Sequence, residues 1–147
     1  MLLKEQLMSD LKSAMKEKDT VKKNVVTMVR AAILQVEKDN KVELGNEEVM
    51  EIISKQVKQR KDALEDFKKG GREDLVELTN HELELLLAYL PEQLSTAELT
   101  AIVKEAVERM NITQMKQMGQ VMGDVMPKVK GRADGKAINE IVKQLLS

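Results

Sequence analysis

Apolar residues recur every three or four positions along almost the whole chain, and this helical period is the feature that most limits the fold. Near the start of the sequence, an apolar side chain stands at every fourth position: Leu3, Leu7, Leu11 and Met15. Residues with this spacing form one stripe of an α-helix. No segment alternates apolar and polar residues for long enough to predict a strand. The sequence therefore predicts an all-α protein.

Residues that favour helix ends divide this periodic sequence into about seven predicted helices. Four short polar side chains precede apolar periodic stretches: Asp19, Asn46, Ser95 and Asp134. A side-chain oxygen at such a position accepts a hydrogen bond from a free N–H group in the first turn of the helix. Glycines at 70 and 71 predict the end of the third helix.

The charge balance changes after a fourth predicted helix, which runs from about Arg72 to Leu90 and ends at Pro91. Residues 1–94 carry 16 Lys and Arg against 19 Asp and Glu, whereas residues 95–147 carry 8 against 6. We therefore expect two domains. Residues 1–93 form an N-terminal domain of about four helices, and residues 94–147 form a small three-helix domain.

The residue types that the sequence lacks exclude most kinds of active site. It has no cysteine and a single histidine, His81, which excludes disulfides and the usual cysteine and multi-histidine metal centres. Glu73 and Glu77 share a helix face with His81, but a solvated histidine among acids is the favoured interpretation. No nucleophile elbow, P-loop or dinucleotide fingerprint is present. We expect no catalytic residue, no metal site and no cofactor.

The apolar segments of the sequence predict a protein without membrane contact. The longest uninterrupted apolar run, residues 85–90, is far too short to cross a bilayer. At the N-terminus, Lys4 and Glu5 interrupt the apolar residues before the core of a signal peptide could form. We therefore expect a cytoplasmic protein.

The segment from Pro127 to Lys136 is the strongest candidate for ligand binding. Its predicted loop holds four cations and two glycines ahead of the last helix: Lys128, Lys130, Gly131, Arg132, Gly135 and Lys136. Arginine binds phosphate through two parallel hydrogen bonds, and lysine contributes a point charge. Asp134, as the N-cap, would compete for the amides that an anion needs. Judged from these residues alone, phosphate binding and a solvated loop both stay open.

Five short motifs stand in order along the chain: KQR at 58–60, GGREDL at 70–75, AYLPEQLS at 88–95, MGQVMGDVM at 118–126 and KGRADG at 130–135. This order resembles the YqeY family, small bacterial proteins that share a domain with the tail of the B subunit of aspartyl/glutamyl-tRNA amidotransferase. The resemblance covers essentially the whole chain. It implies a helical N-terminal domain, and a C-terminal three-helix domain that is similar to the amidotransferase tail.

The resemblance also implies a function, because the amidotransferase tail is understood to contact tRNA. The implied function is a non-catalytic module that binds tRNA or a similar structured RNA, with the KGRADG motif at the contact. Aromatic side chains for base stacking are almost absent, so the phosphate backbone is the expected target.

Two alternative functions stay open. One is a protein-interaction module that docks on a synthetase or amidotransferase subunit. Five of the ten methionines fall between Met110 and Met126 and could form a groove for a partner helix, although core packing is the favoured interpretation. The other alternative is carbon-nitrogen ligase activity with glutamine as nitrogen donor. It follows from the family label only, since the catalytic part of the B subunit is missing.

Overall fold

The computed structural model describes residues 2–146, which form seven α-helices, one short 3-10 helix and no strand. The α-helices are α1 (Leu3–Glu17), α2 (Thr20–Asn40), α3 (Asn46–Lys69), α4 (Glu73–Leu87), α5 (Thr96–Arg109), α6 (Met118–Val129) and α7 (Gly135–Leu146). The 3-10 helix, Met115–Gln117, lies directly before α6. The predicted all-α class is confirmed. No helix among the described residues has both the length and the apolar character needed to cross a membrane.

The helices group into two compact units, which divide between Leu90 and Pro91. In the first unit, α1 packs mainly on α2, and α3 packs mainly on α4. Its core is a cluster of buried aliphatic side chains from all four helices: Leu3, Leu7, Val25, Val26, Val29, Ile33, Val49, Ile53, Val57, Leu83 and Leu86. Their spacing of three or four residues within each helix is the periodicity seen in the sequence. Whether the two units are independent domains stays a prediction.

Two of the expected caps in the first unit behave differently from each other. Asp19 caps α2 as predicted, because its Oδ1 accepts a hydrogen bond from the N–H of Lys22 at 3.1 Å. Asn46, however, is the first residue of α3, and Gly45 is the N-cap. The Asn46 Oδ1 instead accepts a hydrogen bond from the N–H of Leu3 at 2.9 Å. The Asn46 side chain therefore provides an acceptor for a free N–H group at the start of α1. This role was not predictable from local spacing.

Helix α4 is shorter than the sequence predicts. It ends at Leu87, where we expected the helix to continue to Leu90. The N–H groups of Tyr89 and Leu90 bond to carbonyl groups three residues earlier, at 3.1 Å each, so the chain tightens into turns before Pro91. Ahead of α4, Gly71 adopts the left-handed conformation (φ 68°) that the glycine pair predicted.

The second unit packs α5, α6 and α7 around a separate core: Leu99, Val103, Ala106, Val107, Ile112, Val121, Val125, Val129, Ile138, Ile141 and Val142. The predicted caps hold here. Ser95 Oγ accepts a hydrogen bond from the N–H of Glu98 at 3.1 Å, and Asp134 Oδ1 accepts one from the N–H of Ala137 at 2.9 Å. Four of the methionines between 110 and 126 pack against this core, as the favoured interpretation expected: Met110, Met118, Met122 and Met126.

The segment 127–136 is not the single loop that the sequence suggested. Helix α6 continues through Pro127 to Val129, whereas α7 begins at Gly135, directly after the predicted cap Asp134. The reason is packing: Val121, Val125 and Val129 are fully buried at four-residue spacing, and their burial keeps the chain helical past the proline. Lys128 therefore lies in the last turn of α6, and Lys136 in the first turn of α7.

Candidate nucleic-acid interface

The predicted cations lie on a tight connection between α6 and α7, here called the basic turn (residues 128–136). Lys130, Gly131 and Arg132 form the part between the two helices, whereas Lys128 and Lys136 extend from the flanking helix ends. The side chains of Lys128, Lys130 and Lys136 are exposed, and that of Arg132 is partly buried. The structure thus brings the four predicted cations into one short stretch of the second unit.

The backbone of the basic turn has a defined conformation. Gly131 has a φ of 78°, in the left-handed region that glycine adopts without steric cost. The N–H groups of Arg132 and Ala133 both bond to the carbonyl oxygen of Val129, at 2.8 and 3.2 Å. Because Val129 is fully buried, these bonds fix the turn to the core of the second unit.

A second segment, Glu92–Leu94, braces the basic turn. The N–H of Leu94 donates to the Arg132 carbonyl oxygen at 2.9 Å, and Gln93 Nε2 donates to the Gly131 carbonyl oxygen at 2.7 Å. In return, Arg132 Nε donates to the Glu92 carbonyl oxygen at 3.0 Å. These three bonds restrict the motion of the turn, so its cations are held on a fixed frame. This brace was not predicted from the sequence, where its only signal is the motif AYLPEQLS, which contains all three residues.

The cations on the basic turn are not all free. Lys128 Nζ lies 3.2 Å from Asp124 Oδ2, and Arg109 Nη2 lies 2.5 Å from the same oxygen. Hydrogen bonds from Arg109 first, and then from Lys128, hold the pKa of Asp124 below its usual range. Lys130 and Lys136 have partners of their own. Any anion that binds here must therefore compete with existing interactions.

The N-terminus of α7 contributes less to an anion site than an open helix end would. The Asp134 side chain already accepts a hydrogen bond from the N–H of Ala137, as its position in the sequence predicted. A carboxylate at this point also opposes a bound anion electrostatically. The cationic side chains, and not the helix amides, are therefore the main groups available for phosphate.

The acid-rich face around His81 forms no metal site in the described residues. The His81 Nδ1 lies 4.0 Å from Glu84 Oε2, and both side chains are exposed. This contact joins His81 to an acid three residues ahead of it, and not to Glu73 or Glu77 behind it. Within residues 2–146, no group of three or more His, Asp or Glu side chains is arranged to hold a metal ion.

Comparison with known proteins gives matches over nearly the whole chain. A family model described as "Yqey-like protein" matches residues 4–146. The chain is also similar to proteins named "Altered inheritance of mitochondria protein 41, mitochondrial" from three fungi. The identity is 31% with the Pyrenophora tritici-repentis protein, over 95% of this chain and 78% of that protein. The identity with the Eremothecium gossypii protein is 38%, over 57% of this chain and 46% of that protein. The identity with the Vanderwaltozyma polyspora protein is 35%, over 84% of this chain and 66% of that protein.

These relatives correct one expectation from the sequence. They are named as mitochondrial proteins, and this finding contradicts the cytoplasmic location that the sequence led us to expect. The early charges at Lys4 and Glu5 argued against a signal peptide, which concerns export only and does not bear on other destinations. The chain spans between about half and four fifths of the length of the three relatives.

Proposed function

Because the chain belongs to the family of Yqey-like proteins, we propose that its second unit binds tRNA or a similar structured RNA, as a module without catalytic residues. The observation that carries this proposal is the position of four cations within nine residues, on a turn that Glu92–Leu94 braces. Preorganised cations bind an anion at a lower entropic cost than cations on a flexible loop. The resemblance to the amidotransferase tail supports the same assignment.

The proposed contact is with phosphate groups and not with bases. The only two aromatic residues of the chain, Phe67 and Tyr89, precede the second unit, so that unit has no aromatic side chain on which a base could stack. The Nε of Arg132 is used by Glu92, but its two terminal nitrogens make no hydrogen bond to another described residue. These two nitrogens are free to donate to phosphate oxygens.

The ion pair of Lys128 does not prevent a contact of this lysine with phosphate. Lys128 and Asp124 meet at the surface, where an ion pair in water contributes little to stability. Lys128 can therefore exchange the carboxylate for a phosphate at low cost. Four phosphate contacts would give a log-log salt dependence with a slope of about -3 to -4, at about 0.7 to 0.9 for each contact.

A matched pair of triple variants tests the proposal. The first replaces Lys128, Lys130 and Lys136 with Gln, and it retains Arg132 because that side chain also braces the turn. The control replaces three other exposed lysines of the same unit with Gln: Lys104, Lys116 and Lys143. Both variants lose the same charge. Fluorescence anisotropy with labelled total tRNA, at two salt concentrations, measures the affinity and the salt slope.

We expect the first variant to bind tRNA more weakly and its salt slope to be smaller by about 2 to 3, in proportion to three lost contacts. The control should keep a slope close to that of the unmodified protein. Absence of tRNA binding at low salt, or equal affinities for the two variants, would refute the proposal. Docking on a synthetase or amidotransferase subunit, and carbon-nitrogen ligase activity, stay predictions. A pull-down from nuclease-treated lysate and an ammonia-release assay test them.

A further inference from the structure

A groove lies between α1 and α2 on the first unit, far along the chain from the basic turn. It encloses about 500 Å³, within the range of about 300–1,000 Å³ that is typical of small-molecule sites. Leu7 and Ile33, which belong to the buried core, form its floor. Met8 and Leu34 line it with side chains that are 37% and 58% exposed. Apolar side chains of this size are left in water unless something covers them.

One part of the groove is electrostatically satisfied. Lys4 of α1 forms a short ion pair with Glu37 of α2. Glu37 also accepts a hydrogen bond from the N–H of Leu44 at 2.8 Å. The hydrogen bond from Lys4 first, and then that from Leu44, hold the pKa of Glu37 below its usual range. The charges of Lys4 and Glu37 are therefore already paired with each other.

The other charged part of the groove is different. Lys12 of α1 and Arg30 of α2 both line it, and neither forms a hydrogen bond or ion pair with another described residue. Arg30 is partly buried as a residue, whereas Lys12 is exposed, and an arginine can pack its apolar stem against its neighbours while its charged head stays available to an anion. The lining as a whole contains three cations and two carboxylates: Lys4, Lys12, Arg30, Glu5 and Glu37. The excess is one positive charge: Lys4 and Glu37 cancel each other, and the two cations Lys12 and Arg30 outnumber the single carboxylate of Glu5.

We propose that this groove binds a single-chain amphiphile with a carboxylate head group, such as a medium-chain fatty acid. The carboxylate pairs with Arg30 and Lys12, and the alkyl chain lies over Leu7 and Ile33 towards the Lys4–Glu37 ion pair. The single excess positive charge of the lining matches a monoanion better than a doubly charged phosphate head. An apolar surface next to unpaired cations is complementary to such a molecule and to no wholly polar ligand.

The dimensions of the groove favour a small molecule over a partner protein. Lys4 and Lys12 are eight positions apart, which corresponds to about 12 Å along a helix axis. A contact limited to two helical turns does not approach the roughly 1,000 Å² that a specific protein interface buries. An alkyl chain needs only a short apolar channel and an anchor for its head group.

Isothermal titration calorimetry of the full chain with dodecanoate, below its micelle-forming concentration, tests the proposal. Dodecanol, acetate and dodecyl phosphate serve as probes for the chain alone, the head group alone and a different anionic head. We expect one dodecanoate for each chain, with weaker binding of dodecanol and dodecyl phosphate and no detectable binding of acetate. No binding of dodecanoate, or preference for dodecanol or dodecyl phosphate, would overturn the proposal.

Variants locate the site. We expect the double variant Lys12→Gln and Arg30→Gln to weaken dodecanoate binding by about ten-fold, the effect of losing charge-assisted hydrogen bonds to the head group. Leu34→Gln, at a side chain exposed enough for the fold to tolerate the change, should also weaken binding. The control replaces Lys16 and Lys23 with Gln. These two lysines are exposed cations of the same two helices, and they do not line the groove. If the double variant and the control bind equally, the assignment is wrong.

Discussion

The hydroxyl group of Tyr89 donates a hydrogen bond to the carboxylate of Asp10, and this bond joins the turn after α4 to the middle of α1. The two residues are 79 positions apart in the sequence. Burial of the ring first, and then the hydrogen bond to Asp10, raise the pKa of Tyr89. The hydroxyl therefore stays protonated and keeps its role as donor well into the alkaline range.

Tyr89→Phe removes this bond and keeps the ring. We expect the free energy of unfolding to fall by about 1.5–3 kcal/mol, because the lost hydrogen bond is made to a charged acceptor. Urea unfolding followed by far-UV circular dichroism measures the change. A second variant, Asp10→Asn, keeps a hydrogen-bond acceptor and should be destabilised less than Tyr89→Phe.

The same bond predicts a pH dependence. The pKa of Tyr89 is higher in the folded protein than in the unfolded chain, so its contribution to stability is complete below the ordinary tyrosine pKa of about 10. The contribution is lost as the pH rises above that value. Between about pH 9 and pH 11, the unmodified protein should therefore lose more stability than Tyr89→Phe. Equal losses in the two proteins would show that the hydroxyl does not titrate differently on unfolding.

Arg60 of α3 is a buried cation with long contacts. Its Nη2 lies 3.5 Å from Met28 Sδ, its Nε lies 3.8 Å from Glu82 Oε2, and the Nε has no hydrogen-bond partner among the described residues. We expect Arg60→Met to change the free energy of unfolding by less than about 1 kcal/mol, because Met fills similar space and Glu82 remains accessible to water. Arg60→Ala should cost about 2–4 kcal/mol through the cavity it leaves.

Urea unfolding of the two variants separates packing from charge. A large loss in both would mean that the guanidinium charge stabilises the fold through Glu82. A small loss in both would mean that the site collapses around the missing side chain. The ordering that we predict, with Ala much worse than Met, assigns the role of Arg60 to its buried stem.

Arg60 also shows where the sequence stops being informative. Its motif, KQR, contributed to the family resemblance, but nothing in the spacing of that motif indicated that Arg60 is buried. Besides the nearby Gln56, whose carbonyl oxygen lies 3.4 Å from Arg60 Nη1, the partners of Arg60 are Met28 and Glu82, 32 and 22 positions away. Local patterns do not report contacts at these larger separations. Asp19 and Ser95, in contrast, were identified correctly as caps because their acceptor is only three residues from its donor.

The basic turn also has features that the sequence predicts and features that it does not. The sequence predicted the four cations and Asp134, since these residues are close together along the chain. It did not predict the hydrogen bonds from Glu92–Leu94 to the turn, or the contact of Lys128 with Asp124. The sequence also predicted a loop where α6 continues, because the burial of Val129 could not be seen from the local pattern. Tertiary packing decided each of these points.

Asp124 provides a prediction that connects this packing to the proposed function. Asp124→Asn removes the carboxylate that pairs with Lys128 and Arg109. We expect tRNA affinity to rise a few-fold, because Lys128 no longer exchanges a partner and because one negative charge near the phosphates is lost. Glu108→Gln, an exposed acid on α5, removes the same charge and is the control. An equal rise in both variants would point to net charge alone.

The segment Glu92–Leu94 yields a prediction about where the second unit begins. Its hydrogen bonds run to Gly131 and Arg132, and it groups with residues after Pro91, three residues before the boundary that the charge balance suggested. A fragment of residues 91–147 keeps this brace, whereas a fragment of residues 94–147 loses the bonds of Glu92 and Gln93. We expect the longer fragment to unfold cooperatively in urea and to be about 1–2 kcal/mol more stable, at about 1 kcal/mol for each net hydrogen bond.

A third protein, the fragment of residues 91–147 with Gln93→Ala, tests the brace without changing the chain ends. It removes the hydrogen bond from Gln93 to Gly131. This variant should lie between the two fragments in stability. If all three are equally stable, the brace does not contribute to folding and the basic turn is fixed by Val129 alone. If the longer fragment is unfolded by itself, the second unit is not an independent domain, because its core then depends on the rest of the chain.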